Sequence, residues 1–173
     1  TDVTDQTLEQ RAKALEKIGS VRFSQGHLAK AMTAYQAAAA ISGPLASAQP
    51  ANVDRQLAHA NTMAFIGTNH WYQGDLDAAQ ANFQASEKIL LQAKALAPGN
   101  TQLLYQLSTI SNNYGHVLEG RGQLDAATVQ YRHMLDASET LVELEPEKAT
   151  WQTQLGLAHN NLAKMALLHG DLD

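Results

Sequence analysis

Glycine stands at Gly26, Gly74, Gly122 and Gly170, each 48 residues after the last, and proline repeats the same step at Pro50, Pro98 and Pro146. A fixed period of this size means one supersecondary unit stacked on copies of itself, each copy burying its core against its neighbours. Few other folds tolerate such a constraint. Around each glycine the residues are Gln25-Gly26-His27-Leu28, Gln73-Gly74-Asp75-Leu76, Arg121-Gly122-Gln123-Leu124 and His169-Gly170-Asp171-Leu172. Such a glycine can adopt the left-handed conformation that ends one helix, and the polar residue after it can help start the next.

The positions between the turns are patterned as well. Small residues at Ala31, Ala79 and Ala127 are followed one helical turn later by rings at Tyr35, Phe83 and Tyr131. Seven residues before each turn glycine lies another small position, Gly19, Gly67, Gly115 and Ala163, preceded by Ile18, Ile66, Tyr114 and Leu162. A mid-helix glycine costs about 1 kcal/mol against alanine, so it needs a packing reason, and close approach of a paired helix supplies one. Leu124, Ala127, Tyr131, Met134, Leu141 and Leu144 follow at helical intervals as one apolar stripe. Each unit therefore reads as an antiparallel helical hairpin. Ser42-Gly43-Pro44 interrupts the second helix of the first unit. Proline there removes a hydrogen bond and clashes with the preceding turn, which predicts a kink or short break.

Composition agrees with helices and narrows the chemistry. Alanine is abundant, only four prolines occur, and the formal charge of −5 is spread along the chain. No basic stripe suits a phosphate backbone, so nucleic acid is not an expected ligand. Cysteine is absent, which removes disulfides and thiolate chemistry and fits cytoplasm and periplasm equally. No apolar run is long enough to span a membrane and none is expected to contact one. The chain begins at Thr1 and stops at Gly170-Asp171-Leu172-Asp173, where another helix should begin. It reads as a piece of a longer protein. The seven histidines form no His-Glu-x-x-His or paired motif, and Gly26-His27-Leu28-Ala29-Lys30 lacks the second glycine of a phosphate loop. No cofactor, metal or catalytic site is expected, and the chain is read as other than an enzyme.

The order Ile18-Gly19, Ala31, Tyr35, Pro50, repeated as Ile66-Gly67, Ala79, Phe83, Pro98 and Tyr114-Gly115, Ala127, Tyr131, Pro146, resembles the tetratricopeptide repeat family. The usual repeat of that family has about 34 residues. Here the additional residues divide evenly between the two helices, which predicts long helices of about twenty residues with their buried faces kept in phase. The length resembles the extended repeats of kinesin light chains and arrays appended to bacterial signalling proteins. The early tryptophan of the family is replaced by Leu15, Met63, Ser111 and His159. The expected architecture is all-α: a right-handed solenoid of antiparallel hairpins in one domain over 1–173, with units at 8–50, 51–98 and 99–146 and a partial unit at 147–173.

In stacked helical arrays the face of each first helix turned away from its hairpin partner lines a concave groove. Spacing places Lys13, Lys17 and Ser20 there, then Asn61, Phe65, Thr68 and Tyr72, then Asn113, His116 and Glu119, then Asn161 and Lys164, with Asn112 and Asn160 at the margin. Asparagine can donate to and accept from an extended peptide backbone, while Phe65, Trp71 or Tyr72 could fill side-chain pockets or belong to the core. The lysines point to an acidic or carboxylate-bearing ligand. The resemblance implies that Asn113 and Asn161 hold a ligand backbone; bonding to neighbouring helices is the other reading. The expected function is capture of a protein or peptide partner, as the scaffolding or sensory segment of a larger bacterial protein. The alternative is a structural module that self-associates through its repeat ends, since an apolar edge is expected around Leu155, Leu162, Met165 and Leu168.

Overall fold

The computed structural model describes residues 4–170. Among them lie seven α-helices: α1 (Asp5–Ser24), α2 (Leu28–Ala48), α3 (Val53–Tyr72), α4 (Leu76–Leu96), α5 (Thr101–Gly120), α6 (Leu124–Leu144) and α7 (Ala149–His169). Each has 20 or 21 residues, as the long repeat predicts. The residues gather into two compact units, Thr1–Leu96 and Ala97–Asp173. In the first, α1 packs on α2, α2 on α3 and α3 on α4; in the second, α5 packs on α6 and α6 on α7. Each unit is thus an all-α stack of antiparallel hairpins, and α7 is a first helix standing without its partner among the described residues.

The turns inside the hairpins are made as the glycine period requires. Gly26, Gly74 and Gly122 hold φ of 76°, 81° and 71°, and Gly170 ends α7 at 79°. At each internal turn the N–H after the glycine reaches back five residues: His27 to the Arg22 carbonyl at 2.9 Å, Asp75 to His70 at 3.0 Å and Gln123 to Leu118 at 2.9 Å. These bonds satisfy carbonyls that the ending helix leaves open. The polar residue after the glycine caps the next helix only at Asp75, whose Oδ1 accepts from the Ala78 N–H at 3.1 Å; His27 and Gln123 make no such bond. The fourth copy, Asp171 to Asp173, lies outside the described residues. Between hairpins a second periodic device starts the first helices. Asn52 and Asn100 accept from the N–H groups of Arg55 and Leu103 at 3.2 and 3.0 Å, and Thr4 does the same for Thr7 at 3.3 Å. Lys148 occupies that position before α7 and caps nothing with its side chain.

Within each hairpin the ring of the second helix lies where the first helix has no side chain. A Cβ added at Gly19 would stand 2.4 Å from the Tyr35 ring, at Gly115 2.5 Å from Tyr131, and at Gly67 3.3 Å from Phe83. Ala31, Ala79 and Ala127 are wholly buried beside them. The stripe on α6 is buried from Ala127 to Leu141, while Leu144 at its end is exposed.

Two expectations are corrected. The second helix does not break at Ser42-Gly43-Pro44: α2 runs unbroken from Leu28 to Ala48 with Pro44 inside it. The side chains at this point explain the tolerance. Ser42 Oγ lies 2.9 Å from His59 Nδ1 on α3, and the bare face of Gly43 receives the same imidazole. Packing on α3 thus holds the segment helical while Pro44 faces solvent. The open edge of α7 is also differently composed. Met165 is buried and Leu155 and Leu162 are half-buried, in a helix packed on α6. The uncovered side carries Gly156, His159 and Ala163, whose equivalents Ser108, Ser111 and Gly115 are buried in α5. Leu168 is exposed as expected, and Leu157 and Leu167 join it.

Candidate functional site

Within each unit the first helices of successive repeats exchange side-chain hydrogen bonds at sequence separations close to the repeat. In the first unit Arg55 Nε donates to Glu9 at 2.8 Å and the Thr62 hydroxyl to Glu16. In the second, Asn161 Nδ2 donates to Asn112 Oδ1 at 2.8 Å and Lys164 Nζ to Glu119 Oε2 at 2.7 Å. Residues that share a register position therefore face the same way on adjacent helices, and this brings the expected groove residues of each unit together.

In the first unit that surface is basic and aromatic. Lys13, Lys17 and Ser20 are exposed on α1, with Asn61, Phe65 and Thr68 half-buried on α3. Phe65 lies flat over Tyr35 of α2, the ring centroids 5.1 Å apart and 14° from parallel. Tyr72 meets the edge of Phe23 at 4.9 Å and stands 65% exposed, with Trp71 beside it, half-buried. Tyr72 is therefore available on the surface and is not a core residue. The Tyr35 hydroxyl, passing the gap at Gly19, reaches Ser20 Oγ at 3.4 Å.

In the second unit the equivalent surface is a hydrogen-bonded network. The Tyr131 ring passes Gly115, and its hydroxyl lies 3.0 Å from His116 Nδ1 and donates to Glu119 Oε2. His116 Nδ1 lies 3.1 Å from that same oxygen, which also accepts from Lys164. Burial pushes the Glu119 carboxyl up, but the hydrogen bonds from Lys164, Tyr131 and His116 outweigh it and hold the group below its ordinary range. Burial, with Glu119 alongside, pushes the Tyr131 hydroxyl well above its ordinary value, so it stays a proton donor.

Beside this cluster runs a directed chain of amides. Asn161 Nδ2 donates to Asn112 Oδ1, and Asn112 Nδ2 donates to Asn113 Oδ1 at 3.2 Å. Asn161 Nδ2 also lies 3.8 Å from the Met134 sulfur. Two groups of this amide chain have no bond within the chain: the Asn113 NH2, a donor, and the Asn161 carbonyl, an acceptor. Both residues are half-buried and so open to solvent in part.

Spacing in the sequence places Asn113, His116, Asn161 and Lys164 on this face, and the bond from Asn161 to Asn112 of α5 is of the interhelical kind given as the other reading for the asparagines. Spacing alone gives Tyr131 a packing role and puts Asn112 at the margin, whereas the Tyr131 hydroxyl joins the network and Asn112 is the middle of the amide chain. The signal available was the hydroxyl itself, since the knob is tyrosine in the hairpins of Gly19 and Gly115 but Phe83 in that of Gly67. Among the described residues no group of three or more His, Asp or Glu side chains is placed to hold a metal ion, and no helix is long and apolar enough to cross a membrane.

No protein-family model matches the chain. No curated protein matches it either. Among solved structures it is similar to the first TPR of Spaghetti (RPAP3) bound to HSP90 peptide SRMEEVD, at 19% identity over 90% of this chain and 95% of that one, with a TM-score of 0.47. The first TPR domain of human RPAP3 gives 19% identity, 91% and 96% coverage and a TM-score of 0.41. The Arabidopsis OM64 TPR domain gives 14%, 88% and 98%, and 0.38. All three of these structures are of TPR domains.

Proposed function

We propose that the chain is a protein-interaction module whose first-helix faces capture an extended peptide segment. The observation that carries this reading is the pair of groups without a bond within the amide chain of the second unit, a donor at Asn113 and an acceptor at Asn161. A peptide unit offers the complementary pair, one C=O and one N–H, and an extended backbone presents them repeatedly. The bonds among Asn161, Asn112 and Asn113 fix the side chains in advance, so less freedom is lost when a ligand binds. The first-helix face of the first unit, taken by itself, offers the exposed Tyr72 and the Phe65 ring for apolar contact and Lys13 and Lys17 for acidic side chains. His116 and Lys164, tied to Glu119, position the edge of the polar surface, with Thr68 and Asn61 as polar contacts. Within a longer protein such a module would serve as a scaffolding or sensory segment, the role that the resemblance to bacterial signalling arrays implies.

Selection from a random peptide display library tests the reading. Enriched peptides should bind the Asn113→Ala/Asn161→Ala variant about 10–100-fold more weakly, the worth of one or two neutral hydrogen bonds. The Phe65→Ala/Tyr72→Ala variant should lose the aromatic or aliphatic preference of the selected set. Equal binding by wild type and both variants would remove the function from these faces.

A second reading, self-association through the repeat ends, is favoured by apolar side chains on the outermost helices. Ile18 and Val21 on α1 are 45% and 56% exposed, whereas Ile66 and Asn69 at the same register are buried. On α7, Leu167 and Leu168 are 61% and 54% exposed. Sedimentation velocity over a hundredfold concentration range should then show a dimer that Ile18→Glu/Val21→Lys dissolves. A monomer throughout would leave the peptide reading alone.

A further inference from the structure

The first unit contains a pocket of about 150 Å³ between α1, α2 and the start of α3. Ala12, Leu45 and Ala58 give it apolar walls, and charged groups converge on it: Glu9, Glu16 and Asp54 on one sign, Lys13 and Arg55 on the other. Arg55 gives Nη2 to Asp5 at 2.8 Å and Nε to Glu9 at 2.8 Å, but its Nη1 is buried with no hydrogen-bond partner. An arginine donor left in this state calls for an acceptor oxygen. Across the pocket the Glu16 carboxylate has the Thr62 hydroxyl as its donor, and a carboxylate has room for several more. Burial pushes the Glu16 carboxyl up, against the hydrogen bond from Thr62 and the charge of Lys13.

The repeat itself shows that this space is not a by-product of the fold. At the same register in the second unit, Glu9 and Arg55 are replaced by Tyr105 and Trp151, whose rings meet tilted by 48° with centroids 5.3 Å apart. Ala12 and Ala58 are replaced by Ser108 and Gln154, which are hydrogen-bonded at 3.3 Å. Large or mutually bonded side chains stand there, where the first unit has two alanines and unsatisfied charge.

We propose that this pocket binds a small free α-amino acid as its zwitterion. The ligand carboxylate accepts from Arg55 Nη1 and from Lys13, and the ligand ammonium donates to Glu16 and Glu9. Both signs are needed, because a lone amine leaves Nη1 unpaired and a lone carboxylate faces the carboxylates of Glu9, Glu16 and Asp54. Size sets the side chain: a cavity near 150 Å³ accommodates benzene, about six heavy atoms, which is the count in alanine. Serine and glycine fit the same space and leucine or phenylalanine do not. The inference does not depend on the peptide reading, since neither Asn113 nor Asn161 takes part.

Isothermal titration calorimetry and thermal unfolding of the whole chain with glycine, alanine, serine and leucine test it, with ethylamine and propionate as the two half-ligands. Alanine and serine should bind and raise the unfolding temperature with concentration, while leucine and the half-ligands should not. Ala58→Gln, which installs a residue the second unit already carries at that position, and Glu16→Gln should each weaken alanine binding at least tenfold. Asn113→Ala/Asn161→Ala should leave it unchanged. The proposal is overturned if no amino acid binds at millimolar concentration, if propionate or ethylamine alone binds as well as alanine, or if Ala58→Gln binds like wild type.

Discussion

At Gly115 the Tyr131 ring occupies the place where any other residue would put its first carbon, 2.5 Å from the ring. In an open helix Gly→Ala would stabilise by about 1 kcal/mol. Here the overlap reverses the sign, and Gly115→Ala should destabilise by about 1–3 kcal/mol in urea unfolding. Gly19→Ala should behave alike against Tyr35, and Gly67→Ala more mildly, since the Phe83 ring is 3.3 Å away. Both partners of this packing were legible in the sequence, because knob and hole recur at a fixed step and bulk alone explains them. The hydroxyl of Tyr131 was not legible in the same way. Its use depends on which residues stand at 116 and 119, and those differ in every repeat, being Thr68 and Trp71 beside Phe83. Residues that serve packing repeat, whereas residues that serve a local network do not, so periodicity finds the first kind and misses the second. Two glutamates carry this further into pH. The Glu119 carboxyl is held below its ordinary range, so its contribution is present above about pH 4.3 and fades as pH falls through the lowered folded value. Glu16 is raised, so its contribution is complete below about pH 4.3 and is lost as pH rises through the raised value. Melting temperatures from pH 3 to 7 should therefore show Glu119→Gln most harmful at neutral pH. Glu16→Gln should help at neutral pH and do little at pH 3.

Among the helices, α2 holds a proline that its own sequence argues against. Pro44 is exposed within an unbroken helix, where it removes one hydrogen bond and crowds the preceding turn. Its equivalents, Gln92 and Thr140, carry no such penalty. Pro44→Ala should accordingly stabilise the chain by about 1–3 kcal/mol, with the gain read from the denaturation midpoint. The helix boundaries were legible from the glycine turns at one end of each hairpin. At the other end the asparagine caps at Asn52 and Asn100 keep the same period without marking a boundary as plainly as glycine does. The prolines beside them, Pro50 and Pro98, signal the break in the chain rather than what restarts it. Asn52→Ala and Asn100→Ala should each cost about 1 kcal/mol, while Lys148→Asn should recover a similar amount at the start of α7. Circular dichroism melts of the three variants would separate a working cap from a passive one.

For the molecule as a whole, the repeat dictates where neighbouring first helices meet but leaves the chemistry of each meeting free. In the first unit the joint is Arg55 with Glu9 and Asp5; in the second it is Trp151 against Tyr105. Trp151 is 5% exposed, and Trp151→Ala should cost about 3–5 kcal/mol. Arg55→Met should alter stability far less, because its partners are substantially exposed and solvent screens the pair. The lysines and aromatics of the first unit and the amide chain of the second likewise share a register without sharing a ligand chemistry. That the two joints differ has a consequence for how the chain assembles. A protein made of near-copies can err by docking a helix on the right face of the wrong neighbour, and trapped mispairings are the characteristic failure of such chains. If α7 were to settle against α1 during folding, Trp151 would meet Glu9, and Arg55 would lose its carboxylates. Each joint accepts only its own partner, so the order of the repeats is written into the contacts between them.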